Sequence, residues 1–193
     1  VKYYSKGPER DESVMNTTRV KITCVGPPRS GKSFISNVLA EICEAPSSRY
    51  RPTVGVRIVE VEREKVTCEL WDVSGDQRYS SCWPAIQQGV SGALFVYDAE
   101  VQTADLETWY HSFATSLGLT PTQCMLVCNV KRPDMERTPQ PPGRFHALKE
   151  CGNFCVVSGS TLAAFREAFG AFLDKAVASQ EAKVRSEEEA LLK

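Results

Sequence analysis

Residues 26–33 are the feature that most constrains this chain. They read Gly26-Pro27-Pro28-Arg29-Ser30-Gly31-Lys32-Ser33, which is a complete G-x-x-x-x-G-K-S phosphate-binding loop. Glycines let the backbone curl until successive N–H groups point at an anion. The lysine of such a loop reaches the β- and γ-phosphates, and the serine hydroxyl binds Mg²⁺. The pattern therefore predicts a nucleoside-triphosphate site.

The sequence around the loop supplies the structural context that this chemistry needs. Residues 20–25 are β-branched and strand-like. After the loop, apolar residues recur at helical spacing, namely Phe34, Ile35, Val38, Leu39 and Ile42. A helix beginning at the loop adds the positive end of its dipole to the anion site. Strand, loop and helix in this order favour a phosphate site over a chance Gly-Lys-Ser beside a turn.

Composition narrows the class of protein further. With 193 residues, 42% hydrophobic and 24% charged, the chain has the composition of an ordinary globular domain with a sizeable core. The net charge of −1 gives no electrostatic argument for nucleic acid or for an acidic membrane surface as a partner. No apolar run approaches the roughly 20 residues of a membrane span, and no signal-peptide pattern is present.

We expect the eight cysteines to be reduced, as in a protein of the cytoplasm. Two pairs, Cys124/Cys128 and Cys151/Cys155, have three intervening residues, unlike a zinc knuckle, and no histidine pair is nearby. Several cysteines lie in apolar, strand-like runs, where a free thiol behaves as a small hydrophobic group: Cys24, Cys68, Cys124, Cys128 and Cys155. The pattern therefore favours core thiols over disulfides or structural zinc.

Strand and helix patterns alternate along the chain. Strand patterns cover 53–62, 65–72, 92–99, 123–129 and 154–158, the first two joined as a hairpin by a charged turn, and helical patterns cover 104–117 and 161–179. This alternation predicts an α/β fold with a doubly wound, mostly parallel six-stranded sheet and one antiparallel edge strand. We expect residues 1–18 to be a flexible leader, 19–178 the folded domain and 179–193 a charged tail, helical or flexible.

A second motif, Asp72-Val73-Ser74-Gly75, begins at the last residue of a predicted strand. Asp72 follows Lys32 by 40 residues. Asp72 is placed to hold Mg²⁺ through water, and Gly75 to offer its backbone N–H to the γ-phosphate. Thr53, which precedes the hairpin, would complete the Mg²⁺ shell beside Ser33. The alternatives are a strand-end cap for Asp72 and an ordinary strand residue for Thr53.

These segments resemble those of small Ras-superfamily GTPases, especially Rab-like ones, over residues 19–178. The resemblance is carried by the phosphate loop, Pro52-Thr53-Val54-Gly55, Trp71-Asp72-x-x-Gly75, Asn129 after a buried strand, and Ser158-Gly159-Ser160. A narrower resemblance, to the Rab-like 5 family, is carried by Glu69-Leu70-Trp71-Asp72-x-x-Gly75-Asp76, Ser81-Cys82-Trp83-Pro84-Ala85 and Thr122-Gln123-Cys124-Met125-Leu126.

The resemblance implies a small GTPase G domain that binds GTP or GDP with Mg²⁺. It also implies a subunit of the intraflagellar transport B complex, located in the cytoplasm, in the cilium or flagellum and at its base. The implied partner is the coiled-coil heterodimer within that complex. Nucleotide would order the segments around Thr53 and 75–84, with Tyr79 and Trp83 as partner contacts or, alternatively, as core residues.

Two features bear on how such a subunit would work. The sequence ends without a terminal cysteine, so we expect no direct prenyl anchor and recruitment through protein contacts. Small GTPases usually carry a water-orienting glutamine after the D-x-x-G glycine, but here Asp76 stands there and Gln77 follows. An ionised carboxylate only accepts hydrogen bonds. We therefore expect slow or absent hydrolysis, with Asp76 and Gln77 as weak catalytic candidates; a partner-activated GTPase timer and a nucleotide-independent scaffold are the alternatives.

The base pocket departs from the family pattern Asn-Lys-x-Asp. This chain reads Asn129-Val130-Lys131-Arg132-Pro133-Asp134. In strict register Val130 replaces the lysine and Arg132 replaces the aspartate that reads guanine, which would set donors against donors. In the alternative, a looser loop brings Lys131 and Asp134 into those roles. Ser158 and Gly159 are expected beside the base, and selectivity between guanine and adenine stays open.

Overall fold

The computed structural model of the chain describes residues 17–45, 49–98, 104–131, 140–141 and 143–191. Along them lie the strands β1 (Thr18–Val25), β2 (Val56–Arg63), β3 (Val66–Val73), β4 (Gly92–Asp98), β5 (Cys124–Asn129) and β6 (Phe154–Val157). The α-helices are α1 (Lys32–Leu39), α2 (Trp83–Gln87), α3 (Ala104–Phe113), α4 (His146–Glu150) and α5 (Leu162–Leu191). Short 3₁₀ helices cover Gln77–Cys82, Thr115–Leu117, Pro121–Gln123 and Gly143–Phe145.

The strands form one sheet in the order β2-β3-β1-β4-β5-β6. All neighbouring pairs are parallel except β2 with β3, which form the antiparallel hairpin at one edge. The fold predicted from the alternation of patterns is therefore confirmed, and the antiparallel edge strand is β2. Parallel strands place their carboxyl ends at the same edge of the sheet, which is where α/β folds bind ligands.

Helices cover both faces of the sheet, and each face has its own hydrophobic core. Leu94 and Val96 of β4 pack on the face that carries α1 and α5. Phe95 and Tyr97 of the same strand pack on the opposite face, with Trp109 of α3. Burial on both faces explains why β4 and β5 are continuous apolar runs rather than alternating ones.

Several element boundaries differ from the sequence patterns, as where α3 ends at Phe113 and not at residue 117, and one resolves an alternative that the sequence left open. Helix α1 ends at Leu39, so Ile42 lies beyond it with 61% of its surface exposed. Strand β2 begins at Val56, opposite the last residue of β3, so Thr53 belongs to the preceding loop. Helix α5 continues to Leu191, through most of the segment that the sequence left open between helix and flexible chain.

Candidate functional site

The phosphate loop follows β1 and needs glycine at both ends. Gly26 and Gly31 have φ angles of 144° and 97°, which other residues rarely adopt. A Cβ on Gly26 would lie 2.1 Å from the carbonyl oxygen of Val96 in the neighbouring strand β4. The backbone of Gly26 packs so closely against β4 that no side chain fits at the start of the loop. Its last turn leads directly into α1, which starts at Lys32.

Lys32 lies inside the loop, with only 6% of its surface exposed. Its ammonium Nζ donates hydrogen bonds to the carbonyl oxygens of Gly26, at 3.0 Å, and Pro27, at 2.8 Å. Burial lowers the pKa of Lys32 from its ordinary value, against the opposing effects of Cys24 and Asp72. The loop thus holds a cation at its centre, which is the position from which a lysine contacts phosphate oxygens.

The three predicted metal ligands come together beside this lysine. The hydroxyls of Ser33 and Thr53 are hydrogen-bonded at 2.8 Å, and Thr53 Oγ1 donates to Asp72 Oδ2 at 3.3 Å. Ser33 lies in the first turn of α1, Thr53 lies in the loop before β2, and Asp72 is near the end of β3. The fold therefore gathers two hydroxyls and one carboxylate that are distant in sequence.

The residues of this cluster fit Mg²⁺, which prefers oxygen ligands. Asp72 is completely buried, and its Oδ1 has no hydrogen-bond partner within the described part of the chain. Burial raises the pKa of Asp72, against the opposing effects of the Ser33 hydroxyl, Arg57 and Lys32. A buried carboxylate oxygen of this kind is satisfied by a cation or by water bound to one.

Gly75 of the second motif packs directly on the phosphate loop. A Cβ at this position would lie 2.6 Å from the backbone nitrogen of Pro28 and 2.8 Å from Lys32 Nζ. No side chain fits there, so the backbone of Gly75 itself borders the space in front of Lys32. This contact brings together the two motifs that the sequence predicted to share a γ-phosphate.

The two weak catalytic candidates follow this glycine. The Asp76 carboxylate accepts from Arg78 N at 3.0 Å, from Arg78 Nε at 3.1 and 2.9 Å, and from Arg78 Nη2 at 2.6 Å. Arg78 therefore lowers the pKa of Asp76, chiefly through these side-chain hydrogen bonds. Gln77 begins the 3₁₀ helix and is exposed. Asp76 thus acts as the cap of this helix, with its oxygens engaged by Arg78.

On the base side, two residues of the degraded motif reach the loop. Asn129 Nδ2 donates to the carbonyl of Ser30 at 3.0 Å. Lys131 Nζ donates to the carbonyl of Arg29 at 2.5 Å and pairs with Asp98 at 2.5 Å. The looser-loop alternative requires Lys131 to reach the phosphate loop, and Lys131 does so. It also requires Asp134 beside the base, but Asp134 and Arg132 both lie outside the described residues.

These parts line one cleft of about 1670 Å³. Its walls include the phosphate loop, Thr53, Gly75 and, on the base side, Asn129, Val130, Lys131, Ser158 and Gly159. Among the described lining residues, six are cationic and two are carboxylates: Arg29, Lys32, Arg49, Arg51, Arg57 and Lys131 against Glu44 and Asp76. A cleft with this excess of positive charge in a chain of net charge −1 is suited to a polyanion.

The sequence patterns missed two residues that line this cleft and one that holds a lining residue. Arg57 contacts Asp72, Tyr50 lies 5.4 Å from the guanidinium of Arg29, and Arg78 holds Asp76. A signal existed only for Arg57, because counting back from the hairpin turn places it opposite Asp72. The other two contacts depend on loop conformations that no sequence spacing specifies.

Trp83, one of the two candidate partner contacts, packs against the core. Its ring lies 4.9 Å from that of Trp109 and 5.3 Å from that of Phe113. Trp83 and Tyr79 are both half-buried. For Trp83 the core alternative therefore describes the observed packing, while Tyr79 stays a candidate contact.

Comparison with known proteins agrees with this geometry. The model of a family described as "Ras of Complex, Roc, domain of DAPkinase" matches residues 21–131, more than half of the chain. The GTP-bound crystal structure of T. brucei IFT22/74/81 is similar with a TM-score of 0.65 and 27% sequence identity. That similarity covers 86% of this chain and 99% of the chain compared.

Curated relatives share one name. Intraflagellar transport protein 22 homolog is 37% identical over 124 residues in Danio rerio and 38% identical over 124 residues in Homo sapiens. Both matches cover 58% of this chain and 66% of the relative. Intraflagellar transport protein 22 of Chlamydomonas reinhardtii is 41% identical over 116 residues, covering 56% of this chain and 60% of the relative. The matched part of this chain thus spans somewhat less than two thirds of these relatives.

Proposed function

The chain belongs to the Roc (Ras of Complex) family, and on that premise we propose that it is a guanine-nucleotide-binding subunit of an intraflagellar transport complex. The observation that carries the proposal is the convergence of Ser33, Thr53 and the buried Asp72 beside Lys32, at the wall of one cationic cleft. These groups would bind the phosphates of GTP or GDP together with Mg²⁺. Mg²⁺, held by these oxygen ligands, would supply positive charge that offsets the negative charge of the phosphates.

The preference for guanine is part of the proposal. The similar T. brucei structure is GTP-bound, and Asn129 and Lys131 of this chain both brace the phosphate loop. In the family motif a lysine stands at the position of Val130. Here Lys131, one residue later, reaches the phosphate loop in its place. We propose that Asp134, which follows Lys131 in the sequence, accepts hydrogen bonds from guanine, and that Ser158 and its backbone neighbours orient the base.

Hydrolysis is proposed to be slow or absent. A water-positioning group must be within hydrogen-bond reach of the attacking water. The oxygens of Asp76 accept instead from Arg78, and a carboxylate has no N–H to donate to the γ-phosphate. Arg78 would have to be displaced before Asp76 could act on water. This arrangement supports a nucleotide-stabilised subunit over a rapid GTPase timer.

The partner is proposed by similarity to the relatives and to the IFT22/74/81 structure. We expect the coiled-coil heterodimer of the intraflagellar transport B complex to contact the segments around Thr53 and 75–84. Both segments border the nucleotide cleft, so their conformation would respond to its occupant. The expected location is the cytoplasm, the cilium or flagellum and its base.

Calorimetric titration of nucleotide-free protein with GTP, GDP and ATP, each with Mg²⁺, tests the nucleotide proposal. We expect GTP and GDP to bind and ATP to bind at least about a hundredfold more weakly, as polar base recognition allows. Lys32→Ala should abolish binding, whereas Lys149→Ala, a lysine on α4 that does not line the cleft, should leave it unchanged. Equal binding of ATP and GTP would contradict guanine recognition.

Co-purification with the heterodimer tests the partner proposal. We expect capture of the GTP-loaded chain and weaker capture of Lys32→Ala. Full capture of Lys32→Ala would favour the alternative of a nucleotide-independent scaffold. No capture of the GTP-loaded wild-type chain would contradict the proposed assembly, while leaving the nucleotide proposal to its own titration.

A further inference from the structure

Arg57 lies beside the predicted metal ligands but belongs to none of the motifs that predicted them. It is on β2, directly opposite Asp72 of β3 in the antiparallel register. Cross-strand partners share a face of the sheet, and the guanidinium Nη2 lies 3.3 Å from Asp72 Oδ2. The same Nη2 donates to the backbone carbonyl of Ser33 at 3.3 Å. Arg57 thus joins the metal-binding carboxylate to the first turn of α1.

The burial of Asp72 makes its ion pair with Arg57 important for the charge balance of the site. The Asp72 side chain is completely buried, while 39% of the Arg57 side chain is exposed. A buried carboxylate needs a partner, because burial removes the water that would stabilise its charge. The guanidinium is a planar cation whose fork of donors suits a carboxylate, so Arg57 places positive charge directly beside Asp72. Neutralisation of Asp72 therefore does not depend on a metal ion alone.

Arg57 also carries a donor that the fold leaves unused. Its Nε is buried and has no hydrogen-bond partner within the described ranges, and Asp72 Oδ1 is likewise unpaired there. Arg57 forms part of the cleft wall. Leaving a buried N–H unpaired costs free energy, so a water molecule or another oxygen-bearing group beside this Nε would stabilise the site.

We propose that Arg57 is a positioning residue that supplies a built-in positive charge at the magnesium site, so that this chain retains nucleotide with only weak dependence on Mg²⁺. The inference rests on the proposed function, since it requires nucleotide in the cleft. Without such an arginine, removal of Mg²⁺ leaves a bare carboxylate near the phosphates. Here Arg57 keeps Asp72 neutralised. When Mg²⁺ is present, Arg57 competes with it for the Asp72 carboxylate.

Release of a fluorescent GDP analogue, measured in excess Mg²⁺ and in excess EDTA, tests the proposal. We expect EDTA to accelerate release from the wild-type chain less than about tenfold, and from Arg57→Ala at least about tenfold more, as loss of a charge-assisted hydrogen bond predicts. Arg57→Lys keeps the charge but loses the planar fork, so its EDTA effect should be intermediate. Arg63→Ala, on the same strand but opposite Val66 at its far end, is the matched control.

A second readout is the Mg²⁺ concentration that half-restores slow release. This concentration should fall in Arg57→Ala, because Mg²⁺ no longer competes with the guanidinium, and should be unchanged in Arg63→Ala. Thermal unfolding of each variant without nucleotide shows whether it folds. If Arg57→Ala does not fold, Arg57→Lys and Arg57→Gln carry the comparison of charge retained with charge removed.

If EDTA accelerates nucleotide release equally in the wild-type chain and in the charge-removing variant, the proposal is overturned. A wild-type chain that binds no guanine nucleotide in excess Mg²⁺ contradicts the proposed function and this inference together. Binding in Mg²⁺ with equal EDTA effects contradicts this inference alone, so the two failures are distinguishable.

Discussion

Asn129 Nδ2 donates a 3.0 Å hydrogen bond to the backbone carbonyl oxygen of Ser30, across 99 residues of sequence. The bond connects the end of β5 to the phosphate loop, and both residues are buried. A Cβ on Gly31 would lie only 2.1 Å from the same Nδ2, so the loop is packed against this amide. The shape of the phosphate loop therefore depends on a side chain that is not part of the loop.

Asn129→Ala should weaken both the fold and nucleotide binding. It leaves the buried Ser30 carbonyl unpaired, for which we expect a loss of about 1–3 kcal/mol in the free energy of unfolding. The unsupported loop should bind GDP about tenfold more weakly, which corresponds to about 1.4 kcal/mol. Urea denaturation and calorimetric titration measure the two effects.

Asn153→Ala is the matched control for this prediction. The Asn153 amide donates to the carbonyls of Pro121, Thr122 and Cys124, at the opposite end of β5 from Asn129. Its loss should lower stability without changing the GDP affinity of the folded protein. A similar loss of affinity in both variants would mean that the Asn129 effect reflects general destabilisation.

Gly75→Ala should weaken GTP binding more than GDP binding. The added Cβ would lie 2.6 Å from the Pro28 nitrogen and 2.8 Å from Lys32 Nζ, so the backbone must withdraw from the front of the loop. We expect about tenfold weaker GTP affinity, the loss of roughly one backbone hydrogen bond to a charged group. Titration with GTP and GDP measures the difference, with Gly143→Ala as control because a Cβ there meets open space. An equal loss for both nucleotides would contradict a γ-phosphate contact.

Asp76→Ala and Gln77→Ala should leave single-turnover GTP hydrolysis within about twofold of the wild-type rate, because neither residue positions water in the proposed mechanism. The Asp76 carboxylate is held by Arg78, and Gln77 begins a 3₁₀ helix. Phosphate release after GTP and Mg²⁺ are mixed with nucleotide-free protein measures the rate. A fall of about a hundredfold in either variant would establish that residue as a participant in catalysis.

Trp83→Ala should destabilise the fold, by about 2–4 kcal/mol, because Trp83 packs against Trp109 and Phe113. Tyr79→Ala is the comparison variant from the same segment, and we expect it to change stability by less than about 1 kcal/mol. Urea denaturation measures both. If Tyr79→Ala weakens capture by the heterodimer while stability is kept, Tyr79 is a partner contact; a stable Trp83→Ala would contradict the core role of Trp83.

The buried thiols should make the fold less stable in alkaline solution. Burial raises the pKa of Cys24, Cys68 and Cys124 to about 12. The unfolded chain therefore releases these protons first, so stability is fully present below about pH 9 and is lost as pH rises toward 12. At pH 9.5 each thiol should lower the unfolding free energy by roughly 1 kcal/mol.

Urea midpoints at pH 7.5 and 9.5 measure this loss. Cys68→Ala should lose less stability between the two pH values than the wild-type chain, since it has one buried thiol fewer. Cys82→Ala, at an exposed position, should lose as much as the wild-type chain. A loss that is the same in all three chains would contradict the assignment to buried thiols.

Much of the fold could be predicted from local sequence. The two glycines and the lysine identify a phosphate loop from a few neighbouring residues, and the apolar runs of β4 and β5 predict strands buried on both faces. The predicted resemblance to Ras-superfamily GTPases is confirmed by the family match and by relatives named intraflagellar transport protein 22. The order of the motifs was sufficient to predict this resemblance, because each motif consists of a few neighbouring residues.

The contacts that complete the site were decided by tertiary structure. Thr53 reaches Asp72, Asn129 reaches Ser30 and Asp76 turns to Arg78 only once the strands and loops are packed. Of these, the sequence predicted that Thr53 and Asp72 would share a metal ion, but not their hydrogen bond. The physical reason is that side-chain contacts across strands depend on register and loop path.

Sequence by itself determined that the chain has a phosphate loop and a parallel sheet, and it predicted oxygen ligands for a metal ion. Residue types at fixed spacing identified the loop and the burial of the central strands. Only the tertiary structure decided that Arg57 lies beside the predicted metal ligand Asp72, because the 3.3 Å distance from its Nη2 to Asp72 Oδ2 arises when β2 folds back on β3. A charge acts through distance, and distances between residues far apart in sequence exist only in the folded chain.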